Sequence, residues 1–484
     1  MDVISSLEPA KVFEYFQKIC AIPHGSTNEK ALSDYCVKFA KERSLEYYQD
    51  ELYNVIIIKE ASKGYADRPP VIIQGHLDMV CEKEDDSTTD FEKDGIDLLI
   101  TDGYIYADKT TLGGDDGIAI AYALALLDSD EIEHPKLEVV FTVCEELGME
   151  GAQGIDLSRL SGRMLLNLDS EEEGCVITSC AGGCHVECSL KVNFQKCEYN
   201  RLLNIEISGL TGGHSGCEIH KGRANANIVA GKLLLFFLEK GIDFGICQIS
   251  GGKKDNAIPV NSSVIIGTSD AGAVQKAVDE FRACVRNEYG MTDPGMKITA
   301  GECQDGSRSD IKVLSEDSSK SLIKLINSLP NGVIKMSEDI DGMVETSLNF
   351  GIISMDDKEA VLHYLPRSSK EAGLDRLVSQ MKKISEEFGA DTEVSSRYPA
   401  WEYVQDSKLR QNMSDIYKRL YGKELRFESI HAGVECGILA SKIKDLDGVS
   451  FGPDILDIHT PRERMSIASV QRTWDFLLEI LKSL

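Results

Sequence analysis

At 484 residues the chain exceeds what one hydrophobic core usually organises, so at least two domains are expected. Apolar residues at 42% and charged residues at 27% exclude a disordered chain. The 80 acidic residues against 52 basic ones, a net charge of −28, repel phosphate backbones and anionic bilayers, so neither nucleic acid nor a membrane is an expected partner.

From Met1 to Lys18 the apolar residues recur at helical spacing, without the basic start and apolar stretch of an export signal. The strongest strand signals follow at Val71–Gln74, Leu137–Val143 and Met164–Leu168. Between the first two, the Ala/Ile/Leu run Gly117–Leu127 predicts a buried helix opening just after Asp115 and Asp116. That apolar run is about half the ~20 residues needed to span a bilayer, so a soluble protein is expected. This alternation reads as parallel α/β architecture over residues 1–186.

The texture then changes. Strand-like segments at Asn204–Ser208, Ser262–Gly267, Val344–Ile353 and Ala360–Leu365 interleave with helical ones at Ala224–Lys240, Gly272–Glu288 and Lys370–Phe388. Residues 187–397 therefore read as an inserted α/β domain. The tail, 398–484, has a helix at Asp406–Tyr421 and an amphipathic one at Ser466–Leu484, and is expected to complete the first domain. The 14 cysteines in a chain without an export signal read as reduced thiols, which places the protein in the cytoplasm. The cluster Cys175, Cys180, Cys184 and Cys188 lacks the C-x-x-C knuckles of structural zinc sites.

Acids and histidines fall just beyond the strand ends, where open α/β sheets place their sites. In His76-x-Asp78 one side chain can ligate a metal while the other fixes the second ring nitrogen. Gly113-Gly114-Asp115-Asp116-Gly117 can turn tightly and present a carboxylate to an ion from both oxygens. Glu145 and Glu146, read as the end of a strand, point in different directions, so one can ligate and the other can move a proton. Asp169 is selected for its place at a strand end, and the acidic run after it, Ser170 to Gly174, reads as mostly solvated charge. His459 sits in a loop near Pro453 and Pro461, and spacing alone does not single it out.

The segments Gln74–Val80, Thr110–Gly117, Thr142–Gly148, Asn167–Gly174, Gly212–Gly216, Asn256–Pro259, His431–Gly437 and Gly452–His459 resemble those of the aminoacyl-histidine dipeptidases, or cytosol nonspecific dipeptidases. More distantly they are similar to carnosinases and carboxypeptidase G-type enzymes. The resemblance implies a catalytic domain built from both chain ends with an inserted lid, and a homodimer joined through that lid. It implies two divalent ions, zinc first, with manganese or cobalt as alternatives. His76 and Asp169 would hold one ion, Glu146 and His459 the other, and Asp115 would bridge them. Glu145 would be the general base, Asp78 the partner of His76, and His214 an oxyanion stabiliser. Arg367 suits a clamp on the carboxylate of a dipeptide substrate, and Asn256 and Glu435 are further candidates for polar substrate contacts. The competing readings are an aminoacylase or deacetylase with the same metal site, a metal-binding protein without catalysis, and a cysteine-nucleophile hydrolase.

Overall fold

A computed structural model describes residue 4, residues 6–303 and residues 311–484. Met1–Val3 and Ser5, part of the amino-terminal helical reading, lie outside these residues; the helix itself runs Ala10–Cys20.

The chain divides into two compact units. The first comprises residues 1–180, 403–429 and 434–484; the second comprises residues 181–402 and 430–433. The first break falls earlier than the sequence texture suggests, for a physical reason. The strand Cys175–Cys180 joins the first unit's sheet, whereas Gly182–Lys191 joins a different one.

The first unit is built on an eight-stranded sheet whose middle is parallel: Val71–His76 lies between Leu137–Thr142 and Met164–Asn167. All six residues of Val71–His76 and of Leu137–Thr142 are buried, the polar Gln74, His76, Glu138 and Thr142 included, as in strands covered on both faces. The helix Gly114–Asp128 is buried along nearly its whole length, which is why its Ala/Ile/Leu sequence shows no polar face. Gly117 lets the Ala10–Cys20 helix approach closely, since an added Cβ would sit 3.3 Å from the Phe16 ring. On another side Tyr122 stacks on Trp474 of the final helix, Ile467–Ser483, with ring centroids 5.8 Å apart.

The second unit is a nine-stranded sheet, antiparallel at every recorded pairing. Arg201–Ser208 shows the expected alternation: Leu203, Ile205 and Ile207 share a core with Val229, Leu233 and Phe237 of the Ala226–Glu239 helix. The strands Gly182–Lys191, Phe244–Gly251 and Ala390–Tyr398 carry glycines or charges and have no sequence-level strand reading. Pairing with long neighbours makes them strands. No described helix is long and apolar enough to cross a membrane. None of the cysteines forms a disulfide among the described residues.

Candidate metal centre

The parallel strands bring their carboxyl ends to one edge of the first unit's sheet. His76 closes Val71–His76, Asp169 follows Met164–Asn167 by two residues, and Glu145 and Glu146 follow Leu137–Thr142. The glutamates do not continue that strand as the sequence reading expected. Cys144 takes a left-handed conformation (φ 53°) and Glu145–Gly148 forms one helical turn. A carboxylate oxygen of each glutamate and a His76 ring nitrogen lie within 4.8 Å of one another. The helix Gly114–Asp128 is likewise interrupted at its start, where Asp115 (φ −84°, ψ 105°) and Asp116 are non-helical. The acids precede the true helix.

Asp115 stands between two pairs of ligand-type side chains. Its Oδ1 is 3.2 Å from His76 Nε2, which is 3.5 Å from Asp169 Oδ1. Its Oδ2 is 3.2 Å from His459 Nε2, which is 2.9 Å from Glu146 Oε1. His459 reaches in from a turn where its own backbone is left-handed (φ 59°). Glu146 Oε1 is buried and has no hydrogen-bond partner among the described residues, although an imidazole nitrogen is so near. Two lone pairs turned toward a common point give this arrangement, as ligands of one cation do. Asp116 also lies within 4.8 Å of His76 and Asp169, but its Oδ2 accepts the His76 main-chain N–H at 3.1 Å. Asp115 is therefore the better shared ligand.

Asp78 stands beside His76, as expected, and has a second task. The His76 Nδ1 proton goes to the Asp78 main-chain carbonyl at 3.0 Å, and the nearest carboxylate oxygen is 3.4 Å away. The carboxylate also accepts the main-chain N–H groups of Glu145 (2.9 Å) and Glu146 (3.2 Å) and the Ser26 hydroxyl (2.8 Å). It caps the turn that presents both glutamates.

Burial and crowding set the ionisation of these groups. Burial opposes a charged His76, but Asp169, Asp115 and Asp78 outweigh it and hold the imidazole well above its ordinary value. Contact with Asp115 and Glu146 pushes His459 up to about 10. Burial, with Asp115 and Glu146 nearby, pushes Asp169 up to about 6 although His76 opposes it. Burial and the neighbouring Asp169, Glu435 and Glu146 carry Glu145 well above the usual carboxylate range. So many carboxylates in one buried place call for positive charge between them. The donor set, two imidazoles and two carboxylates around a shared aspartate, fits a pair of divalent ions.

Glu435 is wholly buried in the first unit, where its Oε2 accepts from Gln74 (2.6 Å) and Thr142 (2.6 Å). Burial pushes its carboxyl up to about 8. Its Oε1 is buried and has no hydrogen-bond partner among the described residues. The run after Asp169 is not mere solvated charge either. Burial pushes Glu171 up to about 8, and Glu173 makes a two-pronged pair with Arg472 at 2.5 and 2.6 Å. Sequence reasoning also passed over Glu463, which is buried against the Asp115 turn. Its only trace in the sequence is a position four residues after His459.

The second unit gathers a separate cluster. Arg367 is buried, donates to the Tyr398 hydroxyl at 2.6 Å, and leaves its Nε without a partner among the described residues. Ser347, opposite Arg367 on the adjacent strand, lies 2.8 Å from His431 Nε2. Burial, then the charge of Arg367, pushes His431 down to about 3. His214 Nδ1 accepts the main-chain N–H groups of Gly216 (3.2 Å) and Cys217 (3.0 Å), so the neutral ring carries its proton on Nε2. Burial and Arg367 lower its pKa and favour that neutral form. Asn256 is exposed beside it, its carbonyl accepting the Ser215 N–H at 2.9 Å.

Comparison with known proteins agrees with this picture. The chain is 36% identical over 490 aligned residues to the cytosol non-specific dipeptidase of Escherichia coli, covering all of this chain and 99% of that one. The crystal structure of the aminoacylhistidine dipeptidase from Vibrio alginolyticus superposes with a TM-score of 0.93 at 35% identity, covering 99% of this chain and 98% of that one. An aminopeptidase structure from Bacillus cereus shares the fold, with a TM-score of 0.57 at 16% identity and 98% of each chain covered. The model of peptidase family M20/M25/M40 matches residues 72–483, which takes in every residue of the centre, and the chain belongs to that family.

Proposed function

We infer that the chain is a metallo-dipeptidase that hydrolyses the peptide bond of dipeptides such as Xaa-His. The observation that carries this reading is Asp115, whose two oxygens each face an imidazole–carboxylate pair at 3.2 Å. The names of the two full-length relatives, a non-specific dipeptidase and an aminoacylhistidine dipeptidase, support the substrate class. His76 and Asp169 would hold one divalent ion, Glu146 and His459 the other, with Asp115 shared. Bound there, the ions would supply Lewis acidity and make a water acidic enough to deprotonate near neutral pH.

Glu145, presented by the same turn as Glu146, accepts the water's proton and returns it to the leaving amine. Asp78 holds both glutamates through their main-chain N–H groups. His214, with its proton on Nε2, donates to the oxyanion as the tetrahedral intermediate forms. Arg367 grips the substrate carboxylate in a bidentate way, and its unpartnered Nε supports that task. Asn256 contributes a polar contact to the substrate beside His214, and Glu435, whose Oε1 is unpartnered among the described residues, is a further candidate for one.

Zinc is the proposed metal because imidazole and carboxylate donors suit it, and the same set also accepts manganese or cobalt. A cytoplasmic location is supported by the many unbridged cysteines. A homodimer through the second unit is supported by exposed Val333, Ile334 and Met336 on the strand Gly332–Met336, and sedimentation measures it directly.

The test is a panel of dipeptides and N-acyl amino acids offered to metal-stripped protein re-supplied with zinc, manganese or cobalt. Metal-restored cleavage of dipeptides is expected. Cleavage of the acyl amino acids alone would make the chain an aminoacylase, and activity without metal would refute the reading altogether.

A further inference from the structure

Glu463 is 3% exposed, yet none of its hydrogen bonds to the turn before the Gly114–Asp128 helix involves a cationic side chain. Its Oε2 accepts the main-chain N–H groups of Leu112 (2.7 Å) and Gly113 (3.1 Å). Its Oε1 accepts those of Gly114 (2.8 Å) and, at longer range, Asp115 (3.4 Å). Four successive N–H groups thus converge on one carboxylate, an arrangement that suits a buried anion. Gly113 makes the convergence possible by taking a left-handed conformation (φ 71°), and a Cβ added at Gly114 would lie 3.1 Å from Oε1. Glu463 is itself four residues beyond His459, and its N–H is anchored to the Thr460 carbonyl at 3.0 Å.

We propose that Glu463 is the positioning residue that fixes Asp115 as the shared metal ligand and ties its placement to that of His459. One short segment, His459 to Glu463, then presents a ligand with one residue and locks the backbone of a second ligand with another. Residues 344 positions apart in sequence become a single mechanical unit. Glu463 acts through the main chain and touches neither ion nor substrate. The proposal rests on the reading of Asp115 and His459 as ligands.

The discriminating variant is Glu463→Gln. It keeps the size and one carbonyl oxygen, but turns an NH2 donor against two of the four N–H groups. Metal-stripped full-length protein is titrated with Co2+, followed by its visible absorption, and then assayed on a dipeptide. Wild type should bind two Co2+ ions. Glu463→Gln should bind Co2+ about 10- to 100-fold more weakly and lose kcat by a similar factor, with KM little changed. Gly114→Ala, which presses on the same carboxylate without removing it, should weaken binding in the same direction. Ile480→Ala, a core truncation in the last helix, should lower the melting temperature and leave Co2+ affinity as in wild type. Wild-type affinity in both Glu463→Gln and Gly114→Ala overturns the proposal, as does an equal loss in Ile480→Ala. Wild-type protein that binds no Co2+ overturns the metal reading itself, and the clamp with it.

Discussion

Replacing Asp78 by asparagine should separate the presentation of the two glutamates from the orientation of His76. The side chain is 1% exposed, so solvent cannot replace what it loses. One oxygen faces the Glu145 N–H at 2.9 Å, and the other faces the Glu146 N–H at 3.2 Å and the Ser26 hydroxyl at 2.8 Å. Asparagine has a single carbonyl oxygen, so one of the two main-chain N–H groups must face an NH2 instead. The Ser26 hydroxyl can rotate to accept, but the main-chain donor cannot. A hydrogen bond to a charged acceptor is worth about 1.5–3 kcal/mol, and a loss of about that size in unfolding free energy is expected. His76 should be less disturbed, because its Nδ1 is nearer the Asp78 main-chain carbonyl (3.0 Å), which the substitution keeps, than the carboxylate (3.4 Å). Metal titration should therefore show the larger weakening, about 10- to 100-fold, in the ion proposed for Glu146 and His459. Turnover should fall as Glu145 shifts with the same turn. Urea unfolding, Co2+ titration and dipeptide hydrolysis on one preparation measure all three. Equal weakening of both ions, or kinetics unchanged within twofold, would refute the reasoning.

Glu145→Gln should retain metal binding while kcat falls about 10²- to 10⁴-fold, the usual contribution of a general base; a loss of metal instead would make Glu145 a ligand. Arg367→Ala should raise KM for dipeptides by about 10- to 100-fold and barely change it for dipeptide amides, which carry no terminal carboxylate. His431 supplies a pH dependence of stability. Above pH 6.5 its imidazole is neutral in both folded and unfolded chains and has no effect. Between 6.5 and about 3 the unfolded chain takes up a proton that the buried ring refuses, so stability falls by about 1.4 kcal/mol per pH unit at full effect. His431→Asn should make unfolding less acid-sensitive than wild type between pH 6.5 and 5, and identical slopes in urea titrations would contradict the assignment.

Much of this protein is legible in its order of residues because burial imposes local patterns. Val71–Ile73 and Val139–Phe141 are apolar at every residue because both sheet faces are covered, and Gly117–Leu127 has no polar face because no side of it meets water. The positions of His76, Asp115 and Asp169 beyond such segments follow from the same patterns. What tertiary structure alone decided involves groups that carry no local signature. Gly182–Lys191 is a strand because long neighbours pair with it on both sides. Glu145 and Glu146 leave the strand because a left-handed Cys144 starts a helical turn, a change no alternation of residues announces. His459 and Glu463 stand in a loop whose sequence is ordinary, and they gain meaning only where the chain returns, 344 residues on, to the turn that carries Asp115. A metal site is a convergence of atoms in space, and spacing along the chain can nominate candidates for it without determining which ones meet.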